Sequence, residues 1–281
     1  MAIREMADFL RSRRDRIGPA AVGLPEGGRR RTPGLRRAEV AMLAGISPDY
    51  YMRLEQGRGT RPSPSVLDGL ARALVLNEHE RDHLYRLALE LPSPPPANGA
   101  RPADDRVEPN VLHLLDAIGS VPAYVINGRL DVLAWNRAAA LLMCELAELP
   151  ESERNILRYV FGDPRARSFY ANWDEVARHG VAQLRTATGR DPGNPKTEAL
   201  IRELSSDPTF RACWARQDVQ GPATGMKAYC HPLVGRISLE YIGMLLPGVP
   251  EHQFITFTAA DPASQVALEE VVAPLSQSAG K

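Results

Sequence analysis

The residues His79-Glu80-Arg81-Asp82-His83 have the spacing H-E-x-x-H. On a helix this sets two imidazoles one turn apart with a carboxylate beside them, the arrangement by which zinc hydrolases hold a metal and activate water. A zinc metallohydrolase using His79, Glu80 and His83 is therefore one reading of the chain. The surroundings weigh against it. Glu78 and Asp82 add charge, no Gly-x-x-His follows, and a third ligand would have to come from as far away as Glu108. The expectation is a solvated, titratable helix face with no metal and no cofactor. No Gly-x-Ser-x-Gly elbow, phosphate loop or dinucleotide fingerprint occurs either, so an enzyme is not the expected class.

A second chemistry is carried by arginine. Residues 1–61 hold 13 arginines against seven acidic residues, a net of +6; the remaining 220 carry 21 basic against 27 acidic, a net of −6. Only Lys196, Lys227 and Lys281 are lysines. A basic front and an acidic rear predict two domains with different partners. The candidate DNA contacts are Arg53, whose fork fits guanine O6 and N7 or a phosphate, with Asp49 and Tyr50 beside it. Ser47 and Arg36 at the helix starts and the run Arg29-Arg30-Arg31 complete the set. A mobile basic loop is the competing reading of that run.

These residues need a scaffold, and the stretch EVAMLAGISPDYYMRLEQG at 39–57 supplies it. Leu35, Val40, Leu43 and Ala44 share one helical face, and Gly45 suits the positive φ that ends a helix. Ser47 is a good N-cap and Pro48 suits a first helical turn. Tyr51 and Leu54 then face back to the first helix while Asp49, Tyr50 and Arg53 face away. Two short helices at a steep angle, the second presented to solvent, are the geometry of a DNA recognition helix. Around them the pattern predicts helices at 4–17, 35–44, 47–56, 64–75 and 78–90, with a loop at 18–34. The proline-rich stretch 91–106 reads as a linker between a domain at 1–90 and another at 107–281.

Beyond the linker, Ala123–Ile126 and 131–135 read as strands around an Asn127-Gly128 turn, helices fill 136–217, and strands follow at 227–231, 236–246 and 253–259. Cys144, Cys213 and Cys230 are too scattered for a disulfide frame, which fits a reducing cytoplasm. The N-terminus lacks a signal-peptide apolar core, and the longest apolar runs fall short of the ~20 residues of a membrane span.

Residues 1–90 resemble an Xre-type helix-turn-helix domain. In such domains a Glu late in the recognition helix pairs with an Arg of the first helix; Glu55 and Arg14 occupy those places. The long loop carrying Arg29–Arg31 departs from the usual pattern. Residues 110–270 resemble the MmyB-like ligand-binding domain, through PAYVINGRLDVLAWN at 122–136, ERNILRYVF at 153–161, the helix at 173–185 and HPLVG at 231–235. The resemblance implies an α+β chain: an all-α helix-turn-helix domain of about five helices, then a PAS-like domain with a five-stranded antiparallel sheet and helices across one face. It also implies an apolar cavity for a fatty-acid-like ligand.

The expected function is thus a sequence-specific transcription regulator that binds a double-stranded DNA operator as a homodimer and senses a small amphiphile. A regulator whose C-terminal domain only dimerises is the other alternative. A buried amphiphile needs apolar walls and a partner for its head. The wall candidates are Leu133, Trp135, Phe161, Phe169, Tyr170, Trp173, Leu184, Trp214, Ile237, Leu239 and Tyr241; Asn136, Arg154, Asn155, Arg158, Arg185 and His231 are the polar ones. Each also has a plain structural reading: core packing for the tryptophans, helix capping for Asn136, bracing for Arg154 and Asn155, a satisfied histidine for His231.

Overall fold

The computed structural model describes residues 2–25, 34–58, 61–89, 105–221 and 224–278. The backbone divides into two compact units, one built on the N-terminal helices with Gly189–Pro192 and Ala215–Val219 added, the other on the rest of the C-terminal region. Most of the linker expected at 91–106 lies outside the described residues.

In the first unit, α1 (Ala2–Arg16), α2 (Arg37–Ala44), α3 (Pro48–Glu55), α4 (Pro64–Ala73) and α5 (Glu78–Leu89) surround one core that includes Phe9, Leu10, Val40, Tyr51, Leu54, Leu70 and Leu84. The starts follow local chemistry. Ser47 Oγ accepts from Tyr50 N at 3.2 Å, and Asn77 and Glu80 exchange reciprocal capping bonds at 3.0 Å. Gly45, at φ 69°, ends α2 and lets α3 start three residues later. Gly69 is needed for contact: a Cβ there would meet Ala44 O at 2.5 Å, so α4 approaches α2 backbone to side.

The second unit begins with α6 (Pro109–Ala117), β1 (Ala123–Ile126) and β2 (Val132–Trp135). Helices α7 (Arg137–Leu142), α8 (Cys144–Ala147), α9 (Ile156–Gly162), α10 (Ala166–Phe169), α11 (Trp173–Arg190), α12 (Pro195–Leu204) and α13 (Pro208–Ala215) follow. Strands β3 (Thr224–His231), β4 (Gly235–Leu246), β5 (Val249–Ala259) and helix α14 (Pro262–Ser278) close the chain. The five strands form one antiparallel sheet in the order β2-β1-β5-β4-β3. The chain is α+β, as the resemblance implied.

Two local expectations are corrected. Helices do not lie on one face alone. Tyr124 and Ile126 join the main core under α7 and α9–α14, while Ala123 and Val125 pack with Leu115 of α6 on the opposite face. All four β1 residues are buried, because alternate side chains find a helix layer on each side. The β1–β2 connection is also longer than a two-residue turn. It spans residues 127–131, with Leu130 at φ 65° and the Asn127 side-chain oxygen accepting from the amides of Arg129 and Asp131, each at 3.0 Å. The asparagine thus organises the loop through its side chain.

Candidate functional site

The α3 surface is built by burying one stripe and freeing the other. Tyr51 and Leu54 are fully buried; Asp49, Met52 and Arg53 are exposed and Tyr50 partly so. Ser47 is engaged as the cap, and its residue remains exposed. Arg36 is exposed at the start of α2, its backbone N donating to Glu39 Oε2 at 2.7 Å. Arg29, Arg30 and Arg31 lie outside the described residues. Glu55 is buried and faces inward. Its carboxylate accepts from Arg14 Nε at 2.5 Å and from Arg37 Nε at 2.6 Å. Burial opposes its ionisation, but the hydrogen bonds from Arg14 and Arg37 hold the carboxyl below its ordinary range.

The H-E-x-x-H residues do not converge. His79 is exposed, whereas His83 is buried edge-on to Phe9, ring centroids 5.2 Å apart. Glu80 accepts from Arg13 at 2.5 Å in addition to its capping role. Among the described residues no group of three His, Cys, Asp or Glu side chains is placed to hold a metal.

In the second unit an open groove of about 800 Å³ brings together four of the sequence candidates, Leu133, Trp135, Arg154 and Arg158. Leu112 and Leu200 add apolar wall, and Arg129, Lys196, Asp105 and Asp131 add charge. The Arg154 guanidinium lies 4.7 Å from the Trp135 ring centroid and donates to the carbonyls of Leu149 and Ala147 at 2.8 and 3.3 Å. Arg158 forks onto Glu203, with contacts of 2.9 to 3.1 Å. Asp105 receives Arg129 at 2.9 Å and Lys196 at 2.8 Å. Burial opposes its ionisation, yet hydrogen bonds from Lys196, Asn127 and Arg129 keep it below the usual carboxylate range.

The remaining candidates sit elsewhere. Asn136 caps α7 through Ala139 N at 2.9 Å and accepts from Ala123 N at 3.1 Å, tying the helix to β1. Asn155 caps α9 through Leu157 N at 2.8 Å and donates to Arg129 O at 2.8 Å and Asp131 Oδ1 at 2.6 Å. Phe161 packs against Trp173 and Phe210, and Trp214 stacks on Phe210. The Trp173 indole donates to Val160 O at 3.0 Å. Arg185 lies 3.8 Å over the Trp214 ring and donates to the Trp214 carbonyl. His231 is buried, with Nε2 3.2 Å from Leu141 O and Nδ1 accepting from Leu233 N.

Sequence reasoning missed Lys227. It projects from β3 into a second, small cavity of about 30 Å³ between the inner sheet face and α11. Its Nζ donates to Tyr124 Oη at 3.3 Å and lies 5.2 Å from the Tyr241 ring and 5.5 Å from the Phe257 ring. Burial pulls its pKa down to about 8. The available signal was strand parity: Lys227 shares a face with Tyr229, a large residue that belongs in a core.

Among the described residues no helix is long and apolar enough to cross a membrane. No curated protein matches the chain. Residues 5–84 match the family model of a helix-turn-helix domain, and residues 107–271 match that of the MmyB-like transcription regulator ligand binding domain. Both are regulator domains and not enzymes, and the pairing supports a DNA-binding transcription regulator with a ligand-sensing domain. The second match takes in more than half of the sequence, and the chain belongs to the MmyB-like transcription regulators.

Proposed function

We propose that the protein is a cytoplasmic homodimer that binds a double-stranded DNA operator through α3 and changes its DNA affinity when the C-terminal domain takes up an amphiphile with a fatty-acid-like tail. The observation that carries the DNA half is the outward stripe Asp49, Tyr50 and Arg53 on a helix locked from behind by Glu55. In this reading Arg53 reads a base edge, Ser47 and Arg36 approach phosphates, and Arg29–Arg31 reach the backbone or minor groove. Two copies related by a twofold axis read half-sites about one helical turn apart. The stretch 91–106 serves as the linker between domains at 1–90 and 107–281.

The ligand half is supported by the groove. Its volume is in the range of small-molecule sites, and it sets apolar wall beside cationic side chains. Leu133, Trp135, Arg154 and Arg158 are the sequence candidates that stand there, whereas Trp173 and Arg185 of α11 pack against Phe161 and Trp214 respectively. Asn136, Asn155 and His231 act in this reading by holding the helices and strands that shape the domain. A tenfold change in DNA affinity requires only about 1.4 kcal/mol of coupling between ligand and operator.

The test is selection of bound sequences from random duplexes with the full chain, followed by titration of the selected site with and without dodecanoate. A selected palindromic site bound with dodecanoate-dependent affinity supports the proposal. Equal affinity for selected and random DNA removes the operator reading; an operator affinity indifferent to bound dodecanoate removes the sensor reading.

A further inference from the structure

The cavity beneath α11 contains an ammonium with no counter-charge. Lys227 sits on β3, opposite Leu239 of β4, and its Nζ is enclosed by the rings of Tyr124, Tyr241 and Phe257. Among the described residues no carboxylate pairs with it. Glu175, on the cavity wall, instead accepts from Asn172 Nδ2 at 2.9 Å. The Tyr229 hydroxyl, on the same strand face, is buried without a hydrogen-bond partner. Lys227 is half-buried, and a cation partly withdrawn from water in this way is costly unless an anion joins it. The groove arginines differ: Arg154 is engaged by carbonyls and Arg158 by Glu203.

The geometry points to Lys227 as the anchor for the anionic head of the ligand: an alkyl carboxylate places its oxygens between Lys227 Nζ and the Tyr124 hydroxyl, with its tail against the apolar walls of the cavity. This rests on the reading of the C-terminal domain as an amphiphile receptor and assigns the head to Lys227, not to an arginine. One ammonium and one phenol suit a monoanion. The walls next to the head, Ile126, Leu130, Ile156, Val176 and Ile255, are those an alkyl chain requires. The cavity's 30 Å³ holds no more than a few waters, so a tail enters only as wall side chains such as Gln183 and Met226 move aside. Leu130 and Ile156 line this cavity while their neighbours Arg129, Asp131 and Arg154 line the groove, so the two spaces flank the same two segments.

The experiment is calorimetric titration of the full chain with dodecanoate and with 1-dodecanol, for the wild type, Lys227→Met and Arg158→Ala. The wild type is expected to prefer dodecanoate by at least tenfold, and Lys227→Met to lose that preference while keeping its affinity for the alcohol. Arg158, paired with Glu203 in the groove, is the rival partner for the head, and with the head on Lys227 the Arg158→Ala variant still prefers dodecanoate to the alcohol. The wild-type preference also fades from about pH 7 to about pH 10 as Lys227 loses its proton. The other titratable groups facing it are Tyr124, Tyr241 and Tyr229, all pushed up by burial, with Glu175 and His179 on α11. Removing the unpaired ammonium also raises the melting temperature of ligand-free Lys227→Met, which separates lost recognition from lost folding. A wild-type preference retained in Lys227→Met, or lost in Arg158→Ala alone, overturns the assignment and leaves the receptor reading standing. Failure of the wild type to bind either compound overturns both.

Discussion

Arg14 on α1 and Glu55 at the end of α3 form a buried ion pair, with Arg14 Nε 2.5 Å from Glu55 Oε1. Arg14 also donates to Leu35 O at 3.0 Å, and Arg37 of α2 takes the other carboxylate oxygen. One carboxylate therefore joins three helices, and the outward face of α3 is aimed by a contact that never meets solvent.

Glu55→Gln leaves Arg14 buried beside a neutral amide. Breaking a buried pair from one side costs about 3 kcal/mol. Urea unfolding of the variant is expected to show a midpoint lowered accordingly, with little change in slope. A variant as stable as the wild type would mean that the pair is dispensable.

The same pair makes stability depend on acid. The folded-state pKa of Glu55 lies below its ordinary 4.5, so the unfolded chain takes up the proton more readily. Its contribution is complete above that ordinary value and is lost as pH falls through it toward the folded value. Between about pH 5 and about pH 3 the wild type should lose more stability than Glu55→Gln. Parallel losses in the two proteins would count against this.

Arg53 is exposed on the outward stripe. If it forks onto a guanine, Arg53→Ala costs about 1–3 kcal/mol at the selected operator and much less on random duplex. Footprinting on both DNAs measures the ratio; an unchanged ratio assigns Arg53 to phosphate.

Gly69→Ala puts a methyl 2.5 Å from Ala44 O. Forcing α4 from α2 is expected to cost about 1–3 kcal/mol. Gly18→Ala is the control: φ is −69° and nothing lies within 4 Å. Thermal melts of both variants decide it, since equal midpoints would show that the helices separate freely.

Asn155→Ala removes the α9 cap and two hydrogen bonds to the 127–131 loop. A loss of about 2 kcal/mol follows from a missing cap and an orphaned buried carbonyl. Hydrogen exchange should quicken in the 127–131 loop as well as in the first turn of α9. Exchange confined to α9 would show that the loop holds itself.

What the amino-acid order determined by itself was local. Gly45, Ser47 and Pro48 announce the break between α2 and α3 because a positive φ, a side-chain acceptor and a fixed φ act within a few residues. The alternation Ile237, Leu239, Tyr241 marks β4 because pleating sends every second side chain inward. What only tertiary structure decided was which charges meet. Arg154, Arg158 and Arg185 are alike in sequence, yet one is held by carbonyls, one by Glu203 and one over Trp214. The same holds for β1, whose second buried face appears only once α6 covers it. Lys227 reads as an ordinary surface lysine until three strands bring Tyr124, Tyr241 and Phe257 around it. The reason is range: caps and periodicity act through neighbours in the chain, whereas pairing and desolvation depend on segments a hundred residues apart.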